Sequence, residues 1–205
     1  MKPRYWSQAT RELSAHDPVM KTLITKHKSL TLGSRGDAFQ TLARAIVGQQ
    51  ISVKAAQSVW NRFVAAHNTV TPAVIASSNV DNLRGCGLSG QKSSYILDLA
   101  TRFHDGRLQP AGWTTISDEA LIAELIQVKG IGRWTAEMFM IFNLTRPDVF
   151  PVADLGLQKA ITQHYNRGRK LTPARMQRIG AAWAPWRSVA TWYLWRSLDP
   201  IPVEY

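Results

Sequence analysis

Residues 125–154 read LIQVKGIGRWTAEMFMIFNLTRPDVFPVAD, and this stretch decides how the rest of the chain is read. It begins in an apolar helical pattern and breaks at Gly130-Ile131-Gly132, between Lys129 and Arg133. A second helical pattern starts at Trp134, and the stretch ends on a lone carboxylate, Asp154, just past Pro151. Glycine tolerates positive φ and carries no Cβ, so Gly130 and Gly132 are expected to turn the backbone sharply and let it approach a ligand. Ile131 between them is expected to plug into the core. Unpaired N–H groups at the start of the following helix make an anion site, and Lys129 and Arg133 add charge to it. Gly-x-Gly is a short motif, however, and an ordinary turn between two helices satisfies it equally well.

Outward from this stretch the pattern stays helical. Asp17-Pro18 supplies an N-cap and first-turn pair ahead of Val19, Met20, Leu23 and Ile24. Asp37 and Gln40 form a capping-box-like pair, and Phe39, Leu42, Ala43, Ile46 and Val47 follow at amphipathic spacing. That helix stops at Gly48-Gln49-Gln50-Ile51, and Ser52 caps the next, with Ala56, Val59, Trp60, Phe63 and Val64 on one face. Thr71-Pro72 and Ser78 start shorter helices, Ser89 caps a helix carrying Ile96, Leu97, Ala100 and Phe103, and Ser117 caps another. Asp154 opens a helix through Leu157, Ala160 and Ile161, Thr172-Pro173 opens the penultimate one and Pro185 the last. No run alternates as a strand would, so the fold class is all-α, with roughly ten short helices. Arg84-Gly85-Cys86-Gly87 echoes Lys129-Gly130-Ile131-Gly132, and is read as a plain turn.

Composition narrows the partner. The 205 residues suffice for one domain of two lobes, and 25 Lys and Arg against 14 Asp and Glu leave a net charge of +11. Such a surface suits a polyanion. Cys86 is the single cysteine, which excludes an internal disulfide, a Cys-rich zinc site and a four-Cys iron–sulfur cluster. The five histidines are scattered without a His-x-x-x-His pair, so no metal site is expected. There is no signal-like N-terminus and no long apolar run, so a soluble intracellular protein is expected.

The sequence Leu125-x-x-Val128-Lys129-Gly130-Ile131-Gly132-Arg133-Trp134-Thr135-Ala136-Glu137, followed by an apolar helix and by Val149 to Asp154, resembles the helix-hairpin-helix DNA glycosylase superfamily. Within it the chain is most similar to the alkylbase-removing branch, the DNA-3-methyladenine glycosylase II type. Ala45 to Ser52 (AIVGQQIS) and Trp183 to Trp195 (WAPWRSVATWYLW) carry the resemblance across most of the chain.

The resemblance implies roles. Asp154 matches the family's catalytic aspartate, which would stabilise an oxocarbenium-like sugar and orient water; position alone makes it an N-cap, and both can hold. Trp134 stands where glycosylases that also cut the backbone have a lysine nucleophile, which favours a single-function hydrolase. Trp134 and Trp195 match base-pocket positions, where an indole face attracts a cationic base by about 0.5–2 kcal/mol. Met138, one turn beyond Trp134, replaces an aromatic found in that branch. Gln50 is the first choice for the wedge that fills the gap left by a flipped base, with Gln49 beside it on the orphan base or the pocket. Lys129, Gly130, Gly132 and Arg133 would hold the DNA backbone. Trp183, Trp186 and Trp192 are read as core, Asp148 as an unmatched neighbour of the catalytic position, and Arg167 to Lys170 as a solvated loop.

The expectation is therefore an all-α, two-lobed helix-hairpin-helix glycosylase fold with the active cleft between lobes. One lobe would span about 36–132 and the other about 1–35 plus 133–205. It would act on duplex DNA as a monomer, without a cofactor, releasing alkylated purines of the 3-methyladenine and 7-methylguanine type. The hairpin carbonyls are candidates for a monovalent cation, as the resemblance implies. Glycosylases for deaminated or oxidised purines, and a non-enzymatic helix-hairpin-helix DNA-binding protein, are the competing readings.

Overall fold

The computed structural model describes residues 2–198. Among them are twelve α-helices and no strand. In chain order they are α1 Trp6–His16, α2 Pro18–Lys26, α3 Ala38–Gly48, α4 Val53–His67, α5 Pro72–Ala76 and α6 Val80–Gly85. Then come α7 Gly90–His104, α8 Asp118–Leu125, α9 Arg133–Phe142, α10 Leu155–Tyr165, α11 Pro173–Ala181 and α12 Arg187–Leu198. The chain divides into two compact units, residues 35–139 and residues 2–34 with 140–198.

Side-chain caps set most helix starts. Asp37, Ser52, Thr71, Ser89, Ser117, Asp154 and Thr172 each accept a hydrogen bond from a first-turn backbone N–H. Two caps differ from expectation. The helix expected from Ser78 is capped by Asn79, whose side chain accepts from Asn82 N. The Asp37 box is half formed, because Gln40 turns its amide N–H to the Val70 carbonyl.

In the 35–139 unit, α3 packs against α4 and α7, and α7 packs against α5 and α6. The stripe of α3 (Phe39, Leu42, Ala43, Ile46, Val47) is buried, as are Phe63 of α4 and Ile96, Leu99 and Ala100 of α7, and these form the unit's core. Edge-to-face rings run from Phe39 through Phe103 and Trp113 to Phe139. The echo motif closes on itself through Gly87 N to Arg84 O (2.8 Å), and Cys86 O accepts from Arg62 Nε of α4, which supports its reading as a plain turn.

The other unit is built on α12, which packs against α10, α2 and α1. Eight consecutive or nearly consecutive α12 residues, from Ser188 to Leu194 plus Arg196, are buried. A helix buried all round shows no amphipathic period, which is why its start was misplaced at Pro185. Trp6, Trp192 and Tyr193 form an aromatic cluster, and Trp183 is 1% exposed, as the core reading has it. Trp186 is half-buried, stacked on Tyr5 and bonded to Glu12.

Asp17 is the polar hinge pin of this unit. Its Oδ1 caps α2 at Val19 N (2.8 Å) and Met20 N (3.0 Å). Its Oδ2 accepts from Tyr165 Oη (2.7 Å) and Trp183 Nε1 (3.0 Å). Burial and the adjacent carboxylate together push the Tyr165 phenol far above its ordinary range.

Candidate active site

The hairpin of the 35–139 unit lies between α8 and α9. Ile131 and Val128 are buried, anchoring it to the core, while Lys129, Gly132 and Arg133 are exposed. The two glycines do different work from that expected. Gly130 has φ +82°, and a Cβ there would run into the Tyr95 ring of α7. Gly132 has no positive φ and open space around it; its carbonyl accepts the first α9 bond from Ala136 N (3.0 Å). One glycine makes the turn, and the other starts the helix without a side chain over its backbone.

The two hairpin cations also differ. Arg133 reaches Glu119 with two nitrogens and Glu137 Oε1 at 3.2 Å. The guanidinium is thereby held charged, and hydrogen bonding to Arg133 lowers the Glu119 carboxyl below its ordinary range. Lys129 forms no ion pair with another described residue; its backbone N–H is bound by Asp98 Oδ2 at 2.9 Å. A free ammonium neutralises a phosphate more effectively than a guanidinium already shared by two carboxylates.

Beside the hairpin lies the loop joining α3 to α4. Gln50 is exposed and sits at φ +58°, the left-handed region that a glutamine seldom occupies. Gln49, expected to face an orphan base or the pocket, donates from Nε2 to Gly130 O at 2.8 Å. Lys92 Nζ, on α7, bonds the carbonyls of Val47 (2.8 Å) and Gln49 (2.6 Å). Burial lowers the Lys92 pKa. Ile51 and Val53, on either side of the Ser52 cap, are exposed.

At the other end of the motif, Asp154 is both cap and candidate catalyst. Its Oδ1 accepts from Leu157 N (2.6 Å) and from Trp195 Nε1 (2.8 Å). Trp195 is half-buried and stacks on Phe142, with centroids 5.7 Å apart and rings 17° from parallel. Gly156 leaves this packing uncrowded: a Cβ there would lie 3.2 Å from Asp154 Oδ1 and 3.4 Å from the Trp195 ring, a tight fit. Leu155, next to the carboxylate, is 79% exposed, more than any other large hydrophobic described. Asp148 is a structural partner, bound by Arg187 Nε (2.7 Å) and a second guanidinium nitrogen (2.8 Å). Trp134 is 40% exposed at the start of α9, and Met138 one turn later is 9% exposed.

Lys92, Tyr95, Asp98, Phe142, Leu155 and Gly156 did not stand out in the sequence. Long-range partners fix the first four, and no local spacing signals those. Asp154-Leu155-Gly156 did hold a clue, since an apolar residue at the solvated start of a helix and a glycine at its second position both run against helix preference. No group of three His, Cys, Asp or Glu that could hold a metal occurs among the described residues. No helix among them is long and apolar enough to cross a membrane.

Comparison with known proteins identifies the family of the chain. Residues 43–186 match the HhH-GPD superfamily base excision DNA repair protein family. DNA-3-methyladenine glycosylase 1 of Schizosaccharomyces pombe is 33% identical over 165 residues, 78% of this chain and 72% of that protein. A DNA-3-methyladenine glycosylase of Bacillus subtilis is 31% identical over 91% of this chain, which spans only 66% of that relative's length. The solved structure of the Schizosaccharomyces pombe 3-methyladenine DNA glycosylase Mag1 in complex with abasic DNA superposes with a TM-score of 0.80. It is 30% identical and covers 97% of this chain and 99% of its own. The all-α helix-hairpin-helix architecture, the matched span and these identities together establish that the chain belongs to the HhH-GPD superfamily of base excision DNA repair proteins.

Proposed function

We propose that this protein is a single-function DNA glycosylase that removes alkylated purines from duplex DNA. The observation that carries the reading is Asp154: a carboxylate held by a helix cap and an indole N–H, in a chain whose relatives are named 3-methyladenine glycosylases. Its fixed orientation suits a charge that must wait for the transition state rather than reorganise into it.

The hairpin amides and Lys129 bind phosphate, with Gly130 and Gly132 keeping the backbone bare, and Arg133 adding a charge shared with Glu119 and Glu137. Gln50 enters the stack as the base leaves it, offsetting part of an unstacking cost of about a few kcal/mol. Gln49 sets the loop through Gly130. Trp134, Met138 and Trp195 receive the base, where a ring already cationic from alkylation is favoured by indole faces. The C1′–N bond then breaks, its electron pair returning to the base ring, which leaves neutral. Water adds to C1′ and gives its proton to the Asp154 carboxylate, leaving an abasic sugar with a 1′-hydroxyl. The proposed protein works as a monomer and needs no cofactor for these steps.

Trp134 occupies the position at which a lyase of this superfamily would carry lysine. Borohydride should therefore trap no covalent adduct with DNA. The central test is Asp154→Asn assayed on 3-methyladenine and 7-methylguanine duplexes. Base release should fall by on the order of a hundredfold or more while duplex affinity persists. Release unchanged by the substitution would remove Asp154 from the chemistry. Release by the native protein only from deaminated or oxidised bases would move the substrate class, and no release at all would leave a DNA-binding hairpin protein.

A further inference from the structure

Along α7, Lys92, Tyr95 and Asp98 stand one helical turn apart, and each meets a different part of the loop and hairpin. Lys92 Nζ bonds the Val47 and Gln49 carbonyls at 2.8 and 2.6 Å. The Tyr95 ring fills the space a Gly130 Cβ would need. Asp98 Oδ2 accepts from Lys129 N at 2.9 Å and is itself held by Arg102 Nε at 3.0 Å. Gln49 Nε2 closes the set by donating to Gly130 O at 2.8 Å. Loop and hairpin are thus indexed to one rod and tied to each other.

Lys92 is the unusual member. It is half-buried and forms no ion pair with another described residue; its bonds go to carbonyls at the C-terminal end of α3, where the helix dipole favours a cation. Because one of those carbonyls belongs to Gln49, the ammonium fixes the peptide that leads directly into Gln50. Gln50 is the residue at φ +58°, and a non-glycine backbone stays there only when its surroundings hold it.

We propose that this row on α7 couples the phosphate grip of the hairpin to eviction of the base by Gln50, with Lys92 as the positioning residue. The inference rests on the proposed function and adds to it a specific division of labour. Phosphate capture at Lys129 and the position of Gln50 are set by the same helix, so a duplex seated on the hairpin meets the wedge in register.

The test is Lys92→Met, which keeps the aliphatic stem and removes the donors. Single-turnover release of 3-methyladenine from a fully paired duplex should fall by on the order of ten- to a hundredfold. Release from the same lesion in an unpaired bulge should change little, because no stacked base has to be displaced. Affinity for undamaged duplex and its salt dependence should stay near native, and Lys92→Arg should recover part of the loss. Adding Lys92→Met to Gln50→Ala should cost little more than Gln50→Ala alone. An equal fall on paired and bulged substrates, or none on the paired one, overturns the proposal. If Lys92→Met does not fold, Gln49→Leu severs the tie to Gly130 and must give the same selective loss. Should the native protein release no base at all, the functional reading fails by itself. In that case 2-aminopurine fluorescence in duplex DNA still reports eviction, and a signal unaltered by Lys92→Met overturns the coupling.

Discussion

The Oδ1 oxygen of Asp154 accepts from both Leu157 N and Trp195 Nε1, and this double use decides which substitutions there are informative. Asparagine retains an acceptor oxygen and a good cap, so Asp154→Asn should leave the thermal midpoint nearly native. Alanine would remove the cap, at about 1 kcal/mol, and strand an indole N–H as well. Trp195→Phe keeps an aromatic ring toward Phe142, deletes the N–H and also trims the side chain from two fused rings to one. Base release should drop several-fold with little change in stability, and an unaffected rate constant would show that the indole does not orient the carboxylate. As a helix cap Asp154 was legible in the sequence, from its place ahead of an apolar helical pattern; its proposed catalytic role rests on the motif. Leu155 and Gly156 were not, since their meaning depends on the carboxylate and the ring they adjoin.

At the scale of elements, the hairpin depends on one glycine more than on two. Gly130→Ala combines a positive φ with a collision against the Tyr95 ring, and should cost about 2–4 kcal/mol by chemical denaturation. Gly132→Ala meets open space and should leave stability within about 1 kcal/mol of native. A similar cost at both positions would mean that Tyr95 yields. Helices with a cap and a clean stripe, such as α3, α4 and α7, were legible from spacing alone. α1 was not: Tyr5 offers it no side-chain cap, and its buried Trp6, Ala9 and Leu13 give a sparse stripe. α12 escaped for the opposite reason, being buried on every side. The row on α7 was invisible because the bonds that tie it to the loop and hairpin span 31 to 45 positions.

Over the whole molecule, charge is less even than its total suggests. Residues 155–198 hold eight Lys and Arg and no Asp or Glu, so most of the net +11 lies in this run. Lys and Arg occur along the whole chain, and it is the acids that are unevenly placed. A buried and a half-buried histidine lie in the same unit. His27 is 7% exposed with Nε2 unpartnered, and burial followed by the nearby Lys26 and Arg196 charges lowers its pKa. His164 is lowered by burial and then by Lys26. A histidine depressed in the folded state binds fewer protons there than in the unfolded chain. Stability is therefore fully present above the ordinary histidine pKa of about 6.5 and is lost as pH falls below it toward the depressed values. The thermal midpoint should decline between about pH 7 and 5, and His27→Gln should flatten that decline. A midpoint that rises on acidification would contradict the sign.

The Gln50 backbone is held by its neighbours' carbonyls and not by its own side chain, which is exposed. The framework therefore works as a socket, and the side chain in it is an exchangeable fitting. Asparagine or glycine at that position would sit more comfortably in the left-handed region and give a stabler protein with a shorter probe. A bulky aromatic would give a longer one at some conformational cost. With Gln50 as the proposed wedge, a loop of this construction lets the scaffold change how it interrogates a helix while the proposed phosphate grip stays as it is.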